Sequence, residues 1–255
     1  MEFVQLQVEH GVAVVTMDAP PVNAVSAALM DEMIATFDQM SDRDDVRCVV
    51  LTGAGRIFCA GADIKSRAGK TFEPGERWAH SRRARELSYS IIECKKPVIA
   101  AINGPALGAG LGIAVSCDIL MCSENAAMGL PEIDVGLMGG GRHAMRVFGH
   151  SLTRRLMMTG DRISGPELYR RGIVEACVPL EELMPAAMAM ATRIAAKSPV
   201  ASRTAKHAAA TIENMTLRDG YRFEQNMTAE LGQSEDSREA MRAFAEKRAP
   251  VFTGR

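Results

Sequence analysis

Residues 103–119 read NGPALGAGLGIAVSCDI, and this stretch restricts the possible folds more than any other part of the chain. It contains Gly104, Gly108, Gly110 and Gly112, and it carries no charged residue before its penultimate position. Glycine weakens helices and strands because it loses the most conformational freedom on folding. Since the stretch follows the apolar run VIAAI, a predicted strand, the pattern indicates a strand that turns through bare backbone into a helix.

A glycine-lined entry into a helix has more than one use. Unpaired backbone N–H groups and the helix dipole point the same way there, so the turn can bind an anion. A dinucleotide site is disfavoured, because Gly108–Gly112 spell G-x-G-x-G rather than G-x-G-x-x-G and lie mid-chain. Tight packing of the helix on the strand is the purely structural alternative. The stretch by itself leaves both an anion site and close packing open.

The composition narrows the class of protein. At 255 residues, with 47% hydrophobic and 24% charged residues, the chain suits one α/β domain with an appendage. The net charge of −1 provides no field to recruit nucleic acid or anionic lipid. The six cysteines form no C-x-x-C pair, which argues against a metal site and favours reduced thiols. Without a signal-peptide pattern or a long apolar run, we expect a soluble, cytoplasmic protein.

Hydrophobic periodicity predicts strands and helices in mixed order, followed by helices alone. The predicted strands include a hairpin up to residue 17 and strands at 46–53, 98–102, 118–122 and 173–178. The predicted helices are one after Ser26, one at 76–94, a short one after the glycines, and others near 144–158, 165–171 (capped by Ser164), 180–197, 199–212, 217–232 and 237–248. The pattern indicates strand-strand-helix modules with an all-helical C-terminal region.

A second turn has the same character as the first. FCAGADIK, residues 58–65, also follows a buried strand and also places small, glycine-linked backbone in a loop. Two such turns, each after a parallel strand, can aim main-chain N–H groups at one oxygen atom. This is the arrangement of an oxyanion hole, which stabilises negative charge as it develops in a transition state.

Together with LPEIDVGL, these two motifs resemble the enoyl-CoA hydratase/isomerase (crotonase) family over nearly the whole chain. The resemblance implies a crotonase-like α/β fold, in which ββα repeats form a spiral. We expect residues 1–195 to form this core with the acyl-CoA site. Residues 196–255 are expected to form a helical region that covers the site and builds a trimer, and the resemblance implies either a trimer or a hexamer of two stacked trimers.

The resemblance also assigns roles to individual residues. The backbone N–H groups of Ala62 and Ala109 would bind the thioester carbonyl oxygen of an acyl-CoA, although the family usually has glycine at the position of Ala109. The CoA portion would be bound by residues of the two turns and by a neighbouring subunit. These are Ala60, Asp63, Ile64 and Gly108 in the turns, Lys65 near the ribose 3′-phosphate, and Phe244 and Lys247 from the neighbour.

The acid/base groups decide the reaction. By the resemblance, hydratases use two glutamates around one water, and here the first position is Gly112 while the second is Glu132. Burial of Glu132 among apolar neighbours would raise its pKa, which suits proton transfer near neutral pH. A single carboxylate favours double-bond isomerisation, with hydration or hydration-cleavage as the alternative. A CoA-thioester-binding protein with reduced catalysis is the alternative of a different class. A dienoyl isomerase is disfavoured, because its additional aspartate position is Gly140.

The remaining charged residues near these motifs are interpreted as surface groups. Asp134 would share a face with Glu132 if the local chain were a strand, but a solvated loop is favoured. Arg142 and His143 are also interpreted as exposed charged groups at a turn, although either can reach an acyl group. The arginine-rich stretch 77–85 is expected to be a solvated helix face rather than an RNA-binding surface. No cofactor is expected apart from the CoA that belongs to the substrate, and no metal.

Overall fold

The computed structural model describes residues 1–64 and 71–255 and contains two β-sheets. The larger sheet has six strands in the order β1-β2-β3-β4-β6-β9, and only β1 runs antiparallel to its neighbour. These strands are β1 (Val4–Glu9), β2 (Val12–Met17), β3 (Cys48–Gly53), β4 (Val98–Ile102), β6 (Ile119–Ser123) and β9 (Ala176–Val178). The smaller sheet is formed by β5 (Ala106–Leu107), β7 (Ala127–Gly129) and β8 (Arg162–Ser164).

In the described part of the chain, three helices follow a pair of strands, in agreement with the predicted ββα repeat, whereas three others follow a single strand. The helices that pack around the strands are α1 (Ala27–Asp42), α2 (Glu76–Ile92), α3 (Ala109–Ser116), α4 (Gly141–Thr159), α5 (Gly165–Arg170) and α6 (Leu180–Ala195). The chain continues with α7 (Pro199–Ile212), α8 (Leu217–Leu231) and α9 (Glu235–Glu246). A short 3-10 helix, Pro131–Val135, lies between β7 and α4.

The larger sheet is covered on both faces, which explains why its central strands are apolar throughout. On β3, Val49 and Leu51 belong to the core shared with α1 and α3, whereas Cys48 and Val50 face α6. This alternation is the two-residue period of a strand expressed between two cores. The buried sheet provides a rigid base for the turns that follow its strands.

The C-terminal helices are attached to the sheet through a buried cation. Lys206 on α7 is almost fully buried, and its ammonium donates to the carbonyl oxygens of Ile91 and Lys96 at 3.0 Å. It also lies 2.9 Å from the carboxylate of Asp118, which itself accepts from the N–H of Val98. The ion pair therefore joins α7 to the beginnings of β4 and β6.

Three local features differ from the sequence prediction. The helix predicted near residue 144 begins at Gly141, because the N-terminal position Gly140 adopts a positive φ of 70° that starts the helix without a capping side chain. Ser164 occupies the predicted N-cap position of α5, but its side chain makes no capping hydrogen bond. The smaller sheet was not predicted at all, because its strands are only two or three residues long.

Candidate active site

The two glycine-containing turns lie side by side. Cys59 and Ala106 form a parallel bridge, with hydrogen bonds from the N–H of Cys59 to the Pro105 carbonyl at 3.1 Å and from that of Leu107 to the Cys59 carbonyl at 3.0 Å. Counting three residues onward from each member of this pair leads to Ala62 and Ala109. The parallel register therefore brings the two predicted oxyanion residues to the same end of the paired turns.

Glycines make this close approach possible. A Cβ on Gly61 would lie 2.9 Å from the Leu107 carbonyl oxygen and 3.7 Å from the backbone nitrogen of Ala109. A Cβ on Gly110 would lie only 2.3 Å from the carbonyl oxygen of Cys59. Side chains at these positions would push the turns apart, so two of the glycines serve backbone packing.

The backbone N–H of Ala62 points away from Val25, whose backbone binds the residues on either side of Ala62. Val25 donates to the Gly61 carbonyl at 2.8 Å and accepts from the N–H of Asp63 at 3.1 Å. Because successive residues of an extended chain direct their backbone groups to opposite sides, the Ala62 N–H faces the other way. Within the described residues, this N–H has no backbone acceptor, and Ala62 is exposed.

The backbone N–H of Ala109 is left unpaired by its position in α3. It is the first residue of the helix, where an N–H has no partner within the helix. Gly108, which precedes it, has φ 54° and ψ −118°, a conformation outside the range that side-chain-bearing residues normally adopt. This backbone bend turns the helix N-terminus toward the paired turns, and no backbone acceptor for the Ala109 N–H lies among the described residues.

Glu132 lies directly beside this turn. It belongs to the 3-10 helix that follows β7, and its Oε1 is 2.9 Å from the place where a Cβ of Gly108 would be. Its Oε1 is also 3.6 Å from the corresponding position at Gly139. The carboxylate therefore occupies space that only glycine at position 108 leaves available.

The environment of Glu132 matches a proton-transfer group. Its Oε2 atom is buried and has no hydrogen-bond partner within the described chain. Burial raises the pKa of Glu132 above its usual value, as the apolar sequence around it predicted, while a backbone hydrogen bond lowers that pKa by a smaller amount. A carboxyl group tuned upward by desolvation can accept and return a proton near neutral pH.

A cavity of about 320 Å³ adjoins Ala62 on the side of α1 and α2. Its wall includes Val25 and Ser26 from the start of α1, and Phe72, His80 and Arg83 from the α2 side. The α2 side is formed by residues of α2 and of the loop that precedes it. The contribution from the start of α1 was missed, because no chemically distinctive residue marks it in the sequence.

The predicted CoA contacts lie in different places. Ala60 and Ile64 are exposed and Asp63 is half-buried in the 58–64 turn, whereas Lys65 lies outside the described residues. The side chain of Phe244 on α9 is 87% exposed, and Lys247 follows that helix in a left-handed conformation with φ 54°. Surfaces of this kind are available for contact with another chain, so the predicted roles of Phe244 and Lys247 stay predictions.

Asp134 and Arg142 contact groups other than Glu132. Asp134 lies in a 3-10 helix rather than a strand, and its Oδ2 is 3.0 Å from the Cβ position of Gly160, so it does not share a face with Glu132. Arg142 donates to the side chain of Asn214. His143 is half-buried, and its pKa is lowered first by burial and then by Arg146 and Arg142.

Outside the undescribed segment 65–70, no group of three or more histidine, cysteine, aspartate or glutamate side chains is placed to hold a metal ion. In the same part of the chain, no helix combines the length and the apolar character needed to cross a membrane. The candidate site combines the N–H groups of Ala62 and Ala109, whose turns lie side by side, with the Glu132 carboxylate. Groups of these kinds can stabilise an oxyanion and move a proton.

Comparison with known proteins finds similar chains of matching length. The family model described as "Enoyl-CoA hydratase/isomerase" matches residues 7–255. A probable mitochondrial enoyl-CoA hydratase from Dictyostelium discoideum is 35% identical over 94% of this chain and 87% of its own length. The 2,3-dehydroadipyl-CoA hydratase of Escherichia coli is 32% identical over 97% of both chains. The crystal structure of an enoyl-CoA hydratase from Bacillus anthracis superposes with a TM-score of 0.93 at 32% identity, covering 99% of this chain and 100% of that one.

Proposed function

The chain belongs to the enoyl-CoA hydratase/isomerase family and has its crotonase fold, and on that premise we propose that it adds water to the 2,3-double bond of an enoyl-CoA. It is an acyl-CoA enzyme of this family. Its relatives bear hydratase names, which favours hydration over the isomerisation preferred from the sequence. The observation that carries the proposal is the position of the Glu132 carboxylate beside Gly108, in the turn that leads to Ala109 and pairs with the turn of Ala62.

In the proposed reaction, the thioester carbonyl oxygen accepts hydrogen bonds from Ala62 and Ala109. Glu132 removes a proton from water as the water oxygen attacks the β-carbon, and the π electrons move toward the thioester to form an enolate. The two N–H groups stabilise the enolate oxygen, each contributing a factor of about 10²–10³ in rate. The protonated Glu132 then delivers its proton to the α-carbon, so one carboxyl group serves as base and acid.

Isomerisation is the second candidate, and the glycine at position 112 favours it. With one carboxylate, Glu132 would take a proton from the α-carbon of a 3-enoyl-CoA and return it to the γ-carbon. The same enolate forms, so the same N–H groups serve both reactions. The two reactions differ in whether water enters the product.

A panel of 2-enoyl-, 3-enoyl- and aromatic acyl-CoA thioesters distinguishes the candidates. For each substrate, absorbance of the conjugated thioester and mass of the product are followed together. Loss of conjugation with the gain of one water supports hydration. Gain of conjugation from a 3-enoyl-CoA without a mass change would replace hydration by isomerisation. Tight binding of all substrates without turnover would replace both by a CoA-thioester-binding function.

The assembly and location form part of the same proposal. We place the acyl-CoA site in residues 1–195 and assign trimer formation to residues 196–255, with Phe244 and Lys247 reaching the CoA of a neighbour. Light scattering after size-exclusion chromatography tests the trimer or hexamer. A cytoplasmic location is proposed from the sequence, although relatives include mitochondrial as well as bacterial proteins.

A further inference from the structure

Gly112 is a buried residue of α3 whose lack of a side chain has no local structural cause. Its φ lies outside the left-handed range, and apart from the backbone of its own helix no described atom lies within 4 Å of a Cβ built on it. Gly104 and Gly110 are different, because a Cβ there would lie 2.0 Å and 2.3 Å from a neighbouring carbonyl oxygen. Alanine would favour the helix more than glycine does, so the open space at Gly112 calls for another explanation.

Gly112 lies one helical turn from the glycine that adjoins the Glu132 carboxylate. The N–H of Gly112 donates to the Gly108 carbonyl at 3.1 Å, which closes one turn of helix between the two residues. A Cβ at Gly108 would lie 2.9 Å from Glu132 Oε1, and Oε2 of the same carboxylate is buried without a hydrogen-bond partner among the described residues. The space at Gly112 therefore lies one turn along α3 from the backbone that contacts Glu132.

The helix wall of this space is apolar. From Ala109 to Val115, α3 has the sequence AGLGIAV, which offers no polar side chain. Gly112 lies three residues beyond Ala109, and three residues of helix span about 4.5 Å. The β-carbon lies two carbon–carbon bonds from the thioester carbonyl carbon, which together cover about 3 Å. A group on the β-carbon can therefore reach position 112 when the thioester is held at Ala109. An apolar group on the substrate fits the wall better than a charged one does.

We propose that the space at Gly112 receives a second substituent on the β-carbon, and that the enzyme therefore selects acyl-CoA thioesters branched at that carbon. The inference rests on the proposed function only for the position of the thioester on Ala62 and Ala109. The straight part of the acyl chain occupies the ordinary trans position, and the extra substituent fills the space at Gly112. Gly112 is thus a specificity-determining residue.

Binding of saturated thioesters tests this without any turnover. Dissociation constants of isovaleryl-CoA, branched at the β-carbon, and of butyryl-CoA, unbranched, are measured by titration calorimetry. The wild-type chain should bind isovaleryl-CoA about tenfold more tightly, the lower end of what one methylene contributes in an apolar pocket. Gly112→Ala should reduce this preference to about twofold or less, because the alanine methyl group fills the space that the second substituent of isovaleryl-CoA would occupy. The affinity for butyryl-CoA, which has no such substituent, should stay unchanged.

Gly232→Ala is the matched control. Gly232 follows α8 with φ −60°, and a Cβ there meets only ordinary contacts at 3.5 Å, so this variant should keep the wild-type preference. Equal wild-type affinity for the two thioesters would overturn the proposal without any variant. An unchanged preference in Gly112→Ala would overturn it as well. If no enoyl-CoA is hydrated but the preference exists and Gly112→Ala removes it, the proposed function fails and the specificity inference stands.

Discussion

Replacing Glu132 by glutamine separates catalysis from stability at one position. The substitution keeps the shape of the side chain beside Gly108 but removes the charge that burial destabilises. Loss of a general acid/base commonly lowers the rate by a factor of about 10²–10⁴, so kcat for the preferred enoyl-CoA should fall by at least about 100-fold. Binding of butyryl-CoA should change by less than about twofold, because the N–H groups that hold its carbonyl oxygen remain.

The free energy of unfolding of Glu132→Gln should rise, although its kcat falls. Burial raises the pKa of Glu132 in the folded state, so the ionised carboxylate is less favourable in the folded than in the unfolded chain. Wild-type stability therefore decreases as the pH rises from the usual carboxyl pKa through the raised value, whereas Glu132→Gln does not titrate there. At pH 8 we therefore expect the variant to have the higher free energy of unfolding. Below the pKa of the unfolded chain this gain should vanish.

Steady-state kinetics, calorimetry with butyryl-CoA and urea unfolding at pH 4 and pH 8 measure these effects. Asp134→Asn is the matched control, because it removes a carboxylate from the same 3-10 helix but one that faces Gly160. It should leave kcat within about twofold of wild type. Full activity in Glu132→Gln, or an equal loss in Asp134→Asn, would refute the assignment of Glu132 as the acid/base.

Three further outcomes follow from the same structure. Gly108→Ala should lower kcat/KM by at least about tenfold, because the new Cβ would lie 2.9 Å from Glu132 Oε1 and the backbone conformation at position 108 is strained for alanine. Steady-state kinetics test this, and an unaltered kcat/KM would contradict it. In the wild type, the acidic limb of the kcat/KM profile should lie above the usual carboxyl pKa, because burial keeps Glu132 protonated to higher pH; a limb at the usual value would argue against this group. Lys206→Met should lower the free energy of unfolding by about 1–3 kcal/mol in urea titrations, because it leaves the carbonyl oxygens of Ile91 and Lys96 and the partly exposed carboxylate of Asp118 without their cation. The double variant with Asp118→Asn should recover part of the loss.

The sequence predicted the larger elements because their signals are local. The apolar run at β3, the helical spacing in α1 and the serine that caps it are each properties of a few neighbouring residues. Ser26 does accept a hydrogen bond from the N–H of Leu29 at 3.1 Å. The two-residue and three-residue strands of the smaller sheet carry no such signal, because they are held by pairing with distant segments.

The candidate site was likewise predicted in part from the sequence and decided in part by the tertiary structure. The resemblance to the crotonase family predicted Glu132, Ala62 and Ala109 as site residues, because the motifs that carry it are short local stretches of sequence. Only the tertiary structure decided that Asp134 faces away from Glu132, and that Gly104 and Gly110 serve packing while Gly112 borders open space. A glycine looks the same in any sequence. Whether it avoids a clash or leaves a space depends on atoms brought to it from elsewhere in the chain, and folding alone brings them there.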